Sequence, residues 1–409
     1  MREGSPVATS NGLSTSRLQI QVISDHNALA AAGPLWDRLV DQAAIDHPFL
    51  SHDWILSWWE SFGKGKKLNI LLVTDGDEVI GIAPLMISQE SMYGVPVREL
   101  GFLYNDHTPR FDFIVTRDHA AVCEAVWRHL GDQHEEWDVL KLCQLVSSSP
   151  TLVELSRLAT ASERPVGTWP STESPYLRIA GSFADYFASL HKGVRLNLKR
   201  RMKRLEEQGR VEFERVEAEE EIDSALAEAF QMEAATWKGS AGTAIACRPE
   251  FQKFYSLVAH RAARRGLLYL TFLRVGGKRI AFDLSLIYKK TLFKLKPGYL
   301  PEYHACSPGQ QLTSMTVRDA FAQNLKEVDF LGAADQWKLS WSNGLRKNYW
   351  AFVFQNTMRG SLLHYAKFRV VPWLRRKPYY GRLRDQVTLL KSHLSGRGIS
   401  APMRPEADT

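Results

Sequence analysis

Leu267-Leu268-Tyr269-Leu270-Thr271-Phe272-Leu273-Arg274-Val275-Gly276-Gly277-Lys278-Arg279-Ile280-Ala281-Phe282-Asp283-Leu284-Ser285-Leu286-Ile287-Tyr288 reads as two apolar arms around a glycine pair. Glycine takes positive φ without steric cost, and a two-residue hairpin turn needs it, so arms 267–275 and 279–288 are predicted to pair antiparallel. The pattern also stands 200 residues earlier: arm 68–74, turn Asp75-Gly76-Asp77, arm 79–87. The two align without a gap, Leu68 with Leu268, Gly76 with Gly276, Ile80 with Ile280 and Ile87 with Ile287. Each follows an aromatic-bearing helix, 54–62 in the first case, with Asp53 as its expected cap, and 251–264 in the second. Shared helix, arms and turn position predict a duplicated unit.

Working outward, the first unit reads as a helix over 29–42, the turn His47-Pro48-Phe49-Leu50, the first hairpin, a strand over 111–115, a helix over 117–130 and a strand over 137–145. Residues 165–175, with Gly167, Pro170 and Ser171, read as the crossing between units. The second unit reads as one long helix over 183–208, a helix over 222–236, the hairpin, a strand over 291–296, a helix over 309–324 and strands over 327–331 and 349–355. Strands alternating with helices, together with antiparallel hairpins, predict a mixed α/β fold with a sheet in each half. The expected division is 1–16 disordered, 17–178 and 179–363 as tandem domains, and 364–409 as a basic helical tail.

The length of 409 residues suits two domains, and 44% hydrophobic with 24% charged residues describes a globular chain. No apolar run reaches the roughly 18 residues of a bilayer span, and no signal-type segment follows Met1. Cys123, Cys143, Cys247 and Cys306 lack CxxC spacing, which speaks against structural zinc and disulfides and for a reducing cytoplasm. No HExxH is present among the histidines, so no metal is expected. GxSxG and GxxxxGK[ST] are also missing, which argues against a serine hydrolase and a P-loop enzyme. Residues 364–409 hold ten Lys/Arg against three acids and so account for the whole formal charge of +7. The body is balanced, and no nucleic-acid partner is expected. Within the tail, Leu383, Val387, Leu390 and Leu394 share a face of a predicted helix over 380–394, behind Val371-Pro372-Trp373-Leu374. That helix would dock on the body or lie on an anionic membrane surface, the second giving a peripheral position at the inner face of the membrane.

Three groups could carry chemistry. Ser307-Pro308-Gly309 combines a favoured N-cap, a favoured first helical residue and an open backbone, at a helix end that attracts anions. Asp329-Phe330-Leu331-Gly332-Ala333-Ala334-Asp335-Gln336-Trp337-Lys338 sets carboxylates and a lysine around a strand end, where clefts form. The basic helix carries Lys192, Arg195, Lys199, Arg200, Arg201, Lys203 and Arg204 around a buried face of Leu190, Val194, Leu198, Met202 and Leu205. Each has a plainer alternative: an ordinary capped helix, a solvated loop lysine, a solvated charged face. In the first half, Asp112 within an apolar strand and His107 in the preceding loop are further titratable candidates.

The order and spacing of these pieces over residues 183–341 resemble the GNAT-superfamily acyltransferase domain of cellulose-biosynthesis (CelD-type) proteins, which is distantly similar to the Fem-type aminoacyl transferases. The resemblance implies tandem GNAT-like domains and attack of an amine or hydroxyl on an acyl thioester. It implies acetyl-CoA or another acyl-CoA as donor, with its pyrophosphate at Ser307, Pro308, Gly309 and Gln310, and a small-molecule or saccharide acceptor linked to polysaccharide or cell-envelope biosynthesis. Lys338 would stabilise the oxyanion or act on the leaving group, and Asp335 or Asp329 would orient Lys338 or accept the acceptor's proton. An R-x-N-x-x-R pattern, here Arg195, Asn197 and Arg200, would contact an anionic acceptor or a phosphate; Asp112, singled out by its place in an apolar strand and not by the resemblance, is a further substrate-binding candidate. Two departures stand out: Trp337 replaces the more usual Tyr or Phe, and there is no R/Q-x-x-G-x-G/A loop. The alternatives are a Fem-type transferase using charged tRNA and a non-catalytic, membrane-associated scaffold of a polysaccharide synthase.

Overall fold

The computed structural model describes residues 18–236, 239 and 242–377. The first 16 residues and the predicted helix over 380–394 lie outside the described residues.

The first half runs β1 (Gln19–Ile23), α1 (His26–Ala31), α2 (Gly33–Gln42), α3 (His52–Phe62), β2 (Lys67–Asp75), β3 (Glu78–Met92), β4 (Val95–Phe102), β5 (Ile114–Val115), α4 (His119–Asp132), β6 (Val139–Val146), α5 (Pro150–Ala161) and β7 (Val166–Arg178). The second runs α6 (Phe183–Ser189), α7 (Lys192–Glu206), β8 (Val211–Val216), α8 (Ile222–Ala234), α9 (Pro249–Arg264), β9 (Leu268–Val275), β10 (Lys278–Tyr288), β11 (Thr291–Tyr299), α10 (Pro308–Ala322), β12 (Glu327–Asp329), α11 (Gln336–Leu339) and β13 (Gly344–Phe354). Helices α12 (Met358–Tyr365) and α13 (Val371–Arg375), joined by a π-helical turn, follow.

Both predicted hairpins form, β2–β3 and β9–β10, and Gly76 and Gly276 take φ of 59° and 55°. The repeat extends further. Trp54 of α3 meets Phe254 of α9 edge-on, ring centroids 5.2 Å apart, again at the offset of 200. Helices α4 and α10 both start from a left-handed residue without a side-chain cap, Asp118 and Ser307. Strands β4 and β6 pair in parallel over three residues, Glu99–Gly101 with Val139–Lys141, as do β11 and β12, Thr291–Phe293 with Glu327–Asp329.

The strands join in one mixed sheet, ordered β1-β2-β3-β4-β6-β13-β7-β12-β11-β10-β9-β8, with β5 on β3. Its centre is an exchange: the last strand of each half crosses over, β13 lying against β6 and β7 against β12. The largest apolar cluster accordingly draws on both halves, from Ile23 to Val353.

Several local expectations are corrected. The crossing expected at 165–175 is the central strand β7, whose Pro170 sits where the β7–β13 register shifts, so its missing N–H interrupts no regular ladder. The helix expected over 183–208 breaks at extended Leu190, which is buried, and His191 restarts it by accepting from the Gly193 N–H. The helix over 29–42 divides at Ala32, before Gly33-Pro34. Ser51, not Asp53, caps α3, while Asp53 pairs with Arg265, the residue that follows α9. The strand over 111–115 shrinks to two residues.

Candidate active site

The site is built where β11 and β12 part. On β11, Lys294 and Lys296 pair with consecutive residues of β10, leaving Leu295 as a bulge that re-aims the strand. Strand β12 stops at Asp329, and Leu331 and Gly332 then turn the chain through left-handed conformations, φ 52° and 62°. The Leu331 N–H donates to Asp329 Oδ1 at 2.9 Å, which holds a non-glycine residue in that turn.

On the α10 side of this fork, Ser307 does not cap its helix as expected. It sits in the left-handed region (φ 46°, ψ 60°), and its hydroxyl accepts from the Arg201 guanidinium of α7. The Gln310 and Gln311 N–H groups reach the Ser307 carbonyl at 3.0 and 3.2 Å. Pro308 has no N–H, and the Gly309 N–H, in the first turn, has no carbonyl within the helix. A Cβ added at Gly309 would meet only Tyr299 Cδ1, at 3.8 Å, so the space before it is open. A guanidinium, a hydroxyl, a first-turn N–H and the helix dipole together suit a phosphate. This donor set fits the pyrophosphate of a nucleotide thioester although the glycine-rich run is missing.

The other arm of the fork carries Lys338. Its Nζ donates to the Ala333 carbonyl at 3.0 Å and pairs with the Asp335 carboxylate at 3.0 Å, and its side chain is only 11% exposed. Two of the three ammonium protons are thereby directed, and one remains for a ligand. The arms are joined: Trp341 follows α11, is fully buried, and donates Nε1 to Gln310 Oε1 at 2.7 Å, while its carbonyl accepts from the Tyr186 hydroxyl at 2.6 Å. Gln310 and Lys338, far apart in sequence, are thus separated in space by one indole ring and one turn of chain.

Asp329 is fully buried and already engaged. It receives Arg110, Arg346 Nη1 at 2.6 Å, Ser174 Oγ at 3.1 Å and the Leu331 N–H. Arg110 comes from the first half, so this carboxylate ties the halves together. His47 lies beside the same cations; burial, then Arg110 and Arg346, hold its pKa well below the usual histidine value, so the imidazole is neutral at pH 7.

The remaining candidates lie elsewhere. Arg195 donates Nε to the Leu190 carbonyl at 3.1 Å, and exposed Arg200 bonds exposed Asn197 at 3.0 Å. Neither contact reaches α10; Arg201 does. That choice was open to sequence reasoning, since Arg201 follows Leu198 by three and precedes Leu205 by four, which puts it on the buried face of α7. Asp112 sits in the first half by the start of α5. Burial raises its pKa, opposed by the Thr151 and Ser149 hydroxyls and the Phe113 N–H. His107 Nδ1 bonds the Tyr255 hydroxyl at 2.8 Å within an aromatic cluster. Trp341 and Arg346 had no motif to announce them. Among the described residues, no group of three His, Cys, Asp or Glu is placed to hold a metal.

Comparison with known proteins places this geometry. Residues 192–339 match the family described as acetyltransferase (GNAT) domain. A crystal structure of FemX superposes with TM-score 0.53 at 12% identity, over 81% of this chain and 98% of that one. A conserved protein of unknown function from Bacteroides thetaiotaomicron VPI-5482 superposes with TM-score 0.52, also at 12% identity, over 81% and 100%. No curated protein matches the chain. At such identities the likeness is one of fold. Residues 192–339 have the fold of a GNAT acetyltransferase domain, and that stretch contains the fork, Arg201, the start of α10 and Lys338.

Proposed function

We propose that this protein is an acyltransferase that moves an acetyl or other acyl group from coenzyme A to an amine or hydroxyl, with the second half as the catalytic half. The observation that carries this reading is the link from Arg201 and Ser307, through Gln310 and Trp341, to Lys338. It brings a helix start whose free donors suit a phosphate and a directed ammonium to one fork. A CoA thioester supplies the activated acyl carbon. Arg201, Ser307 and the Gly309 N–H would hold its pyrophosphate. Lys338, preset by Ala333 and Asp335, would direct its third proton at the oxygen that gains charge when the acceptor attacks, a contribution that can reach about 3–4 kcal/mol. Asp335, which is 38% exposed, has the access to take up the acceptor's proton; Asp329, closed in by donors, positions the fork instead. The resemblance of residues 183–341 to the CelD-type domain favours an acceptor from polysaccharide or envelope synthesis.

Titration calorimetry with acetyl-CoA tests the donor. The intact protein should bind, and Gly309→Glu and Arg201→Gln should each lose binding at unchanged melting temperature, the first because its carboxylate enters the open space before the helix. Equal affinity in both variants would remove the donor from this helix start. Binding of charged tRNA in place of acetyl-CoA would favour a Fem-type reaction.

A further inference from the structure

The segment 358–375 is one continuous helical run, α12, the π-helical turn and α13, lying across the sheet beside β13. Its inner side is committed. Leu363 is buried, and Phe368 packs against Trp169 and Phe352 at 6.2 and 6.1 Å between ring centroids. Its outer side is not covered by the described residues. Met358, Leu362, Tyr365 and Trp373 are 83, 63, 60 and 55% exposed, at spacings that keep them on one side of a helix. The adjacent β3–β4 turn adds Tyr93 and Val95, half-exposed, and Arg359 fastens the start of α12 to that turn through the Pro96 carbonyl. Six of the ten large hydrophobic side chains exposed among the described residues therefore fall in these two short segments.

The charge along the helical run itself is of one sign. Residues 356–377 contain Arg359, Lys367, Arg369, Arg375, Arg376 and Lys377 and no acid. An interface built for a folded protein partner depletes charge at its apolar centre. Here exposed Arg369, Arg375 and Arg376 accompany the apolar stripe while Lys367 turns inward over the Trp169 and Phe352 rings, and the exposed aromatics are Trp and Tyr, which favour the boundary between water and lipid. Among the described residues no helix is long and apolar enough to cross a membrane, so this one can only lie along it.

We propose that the outer side of residues 358–375, with the β3–β4 turn, is a docking face for an anionic lipid bilayer: Met358, Leu362, Tyr365 and Trp373 enter the headgroup boundary, and the exposed Arg369, Arg375 and Arg376 meet lipid phosphates. The proposal does not depend on the acyl-transfer reading. It is also distinct from attraction of the basic C-terminal residues, which needs no apolar insertion.

The test is cosedimentation of the full chain with vesicles of phosphatidylcholine alone and of phosphatidylcholine with about one third phosphatidylglycerol. The intact protein should partition onto the anionic vesicles and hardly onto the neutral ones. The Leu362→Ser/Trp373→Ser double variant keeps every charge and both inner contacts. It should lose at least about tenfold in partition at unchanged melting temperature. Binding by the double variant equal to that of the intact protein would assign attachment to charge alone and overturn the proposal. Failure of the intact protein to bind anionic vesicles, or equal binding to neutral ones, would overturn it too. So would loss of a dimer in the double variant without any vesicle binding, which would give the face to a second copy of the chain.

Discussion

Replacing Asp329 with Asn removes one charge from the centre of the molecule and almost no volume. The Asn carbonyl can still accept from the Leu331 N–H and one guanidinium. Its amide, however, turns a donor toward the guanidiniums of Arg110 and Arg346, which cannot accept, and leaves only the Ser174 hydroxyl able to rotate and accept from it. Arg346 keeps Glu327 at 3.0 Å and is partly exposed. Arg110 keeps little: its side chain is 4% exposed, its Nε has no hydrogen-bond partner, and its other neighbour of note is the Phe293 ring at 5.7 Å. Breaking a buried pair and stranding one partner costs about 3–5 kcal/mol, a large part of the roughly 5–15 kcal/mol that holds a typical protein folded. With a slope near 3 kcal/mol per molar urea, the midpoint should fall by roughly 1–1.7 M. Adding Arg110→Met removes the stranded cation and should recover much of the loss, so the two changes are strongly non-additive. A midpoint within ~0.3 M of the parent in Asp329→Asn, or additive losses in the double variant, would refute the account. A fully stable Asp329→Asn protein without turnover would return this carboxylate to catalysis.

Two further outcomes follow from the site and its surroundings. Lys338→Met should lower turnover at least about tenfold, or ~1.4 kcal/mol, at unchanged donor affinity, read as acetyl-CoA hydrolysis until an acceptor is known, and near-normal turnover would defeat the oxyanion role. Burial first, then Lys141 and Arg375, bring the Lys367 ammonium down to about 8 from the 10.5 of a free lysine. The unfolded chain therefore holds this proton more tightly between those values, and stability at this site falls as pH drops from 10.5 to 8. NMR titration of the ¹³C-methylated protein should show one lysine with a midpoint near 8, absent in Lys367→Met, and a Lys367 midpoint above 10 would contradict it.

The repeat was legible because its signals are local: the glycine turns, the apolar arms and the aromatic helices all lie within runs of about forty residues. So were the two arms of the fork, each of which is a short motif. What stayed hidden depends on partners far away in sequence. Strand β7 reads as a loop because Pro165, Pro170 and Pro175 suppress a strand signal, and only the neighbours β12 and β13 make it one. Strands β1 and β8 are short and lie at the two edges of the sheet, with few fully buried residues. The bond from Arg110 to Asp329 spans 219 residues, and nothing near either one announces it. Ser307 shows the limit of local rules in the other direction: an ideal capping residue by type, it is drawn to Arg201 instead.

The exchange of β7 and β13 also sets a schedule for making the protein. Strand β6 is complete at Val146, but its partner edge is β13, where Asn348 pairs with that same valine. A chain growing from its N-terminus adds ~200 residues between the two, roughly 10–40 s at the usual 5–20 residues per second. Throughout that interval the edge of β6, with Leu140, Leu142 and Leu145 along it, is open to any other strand in reach. The first half thus leaves the ribosome as an unfinished sheet, and a chain cut short before Gly344 is left with a sticky edge for good.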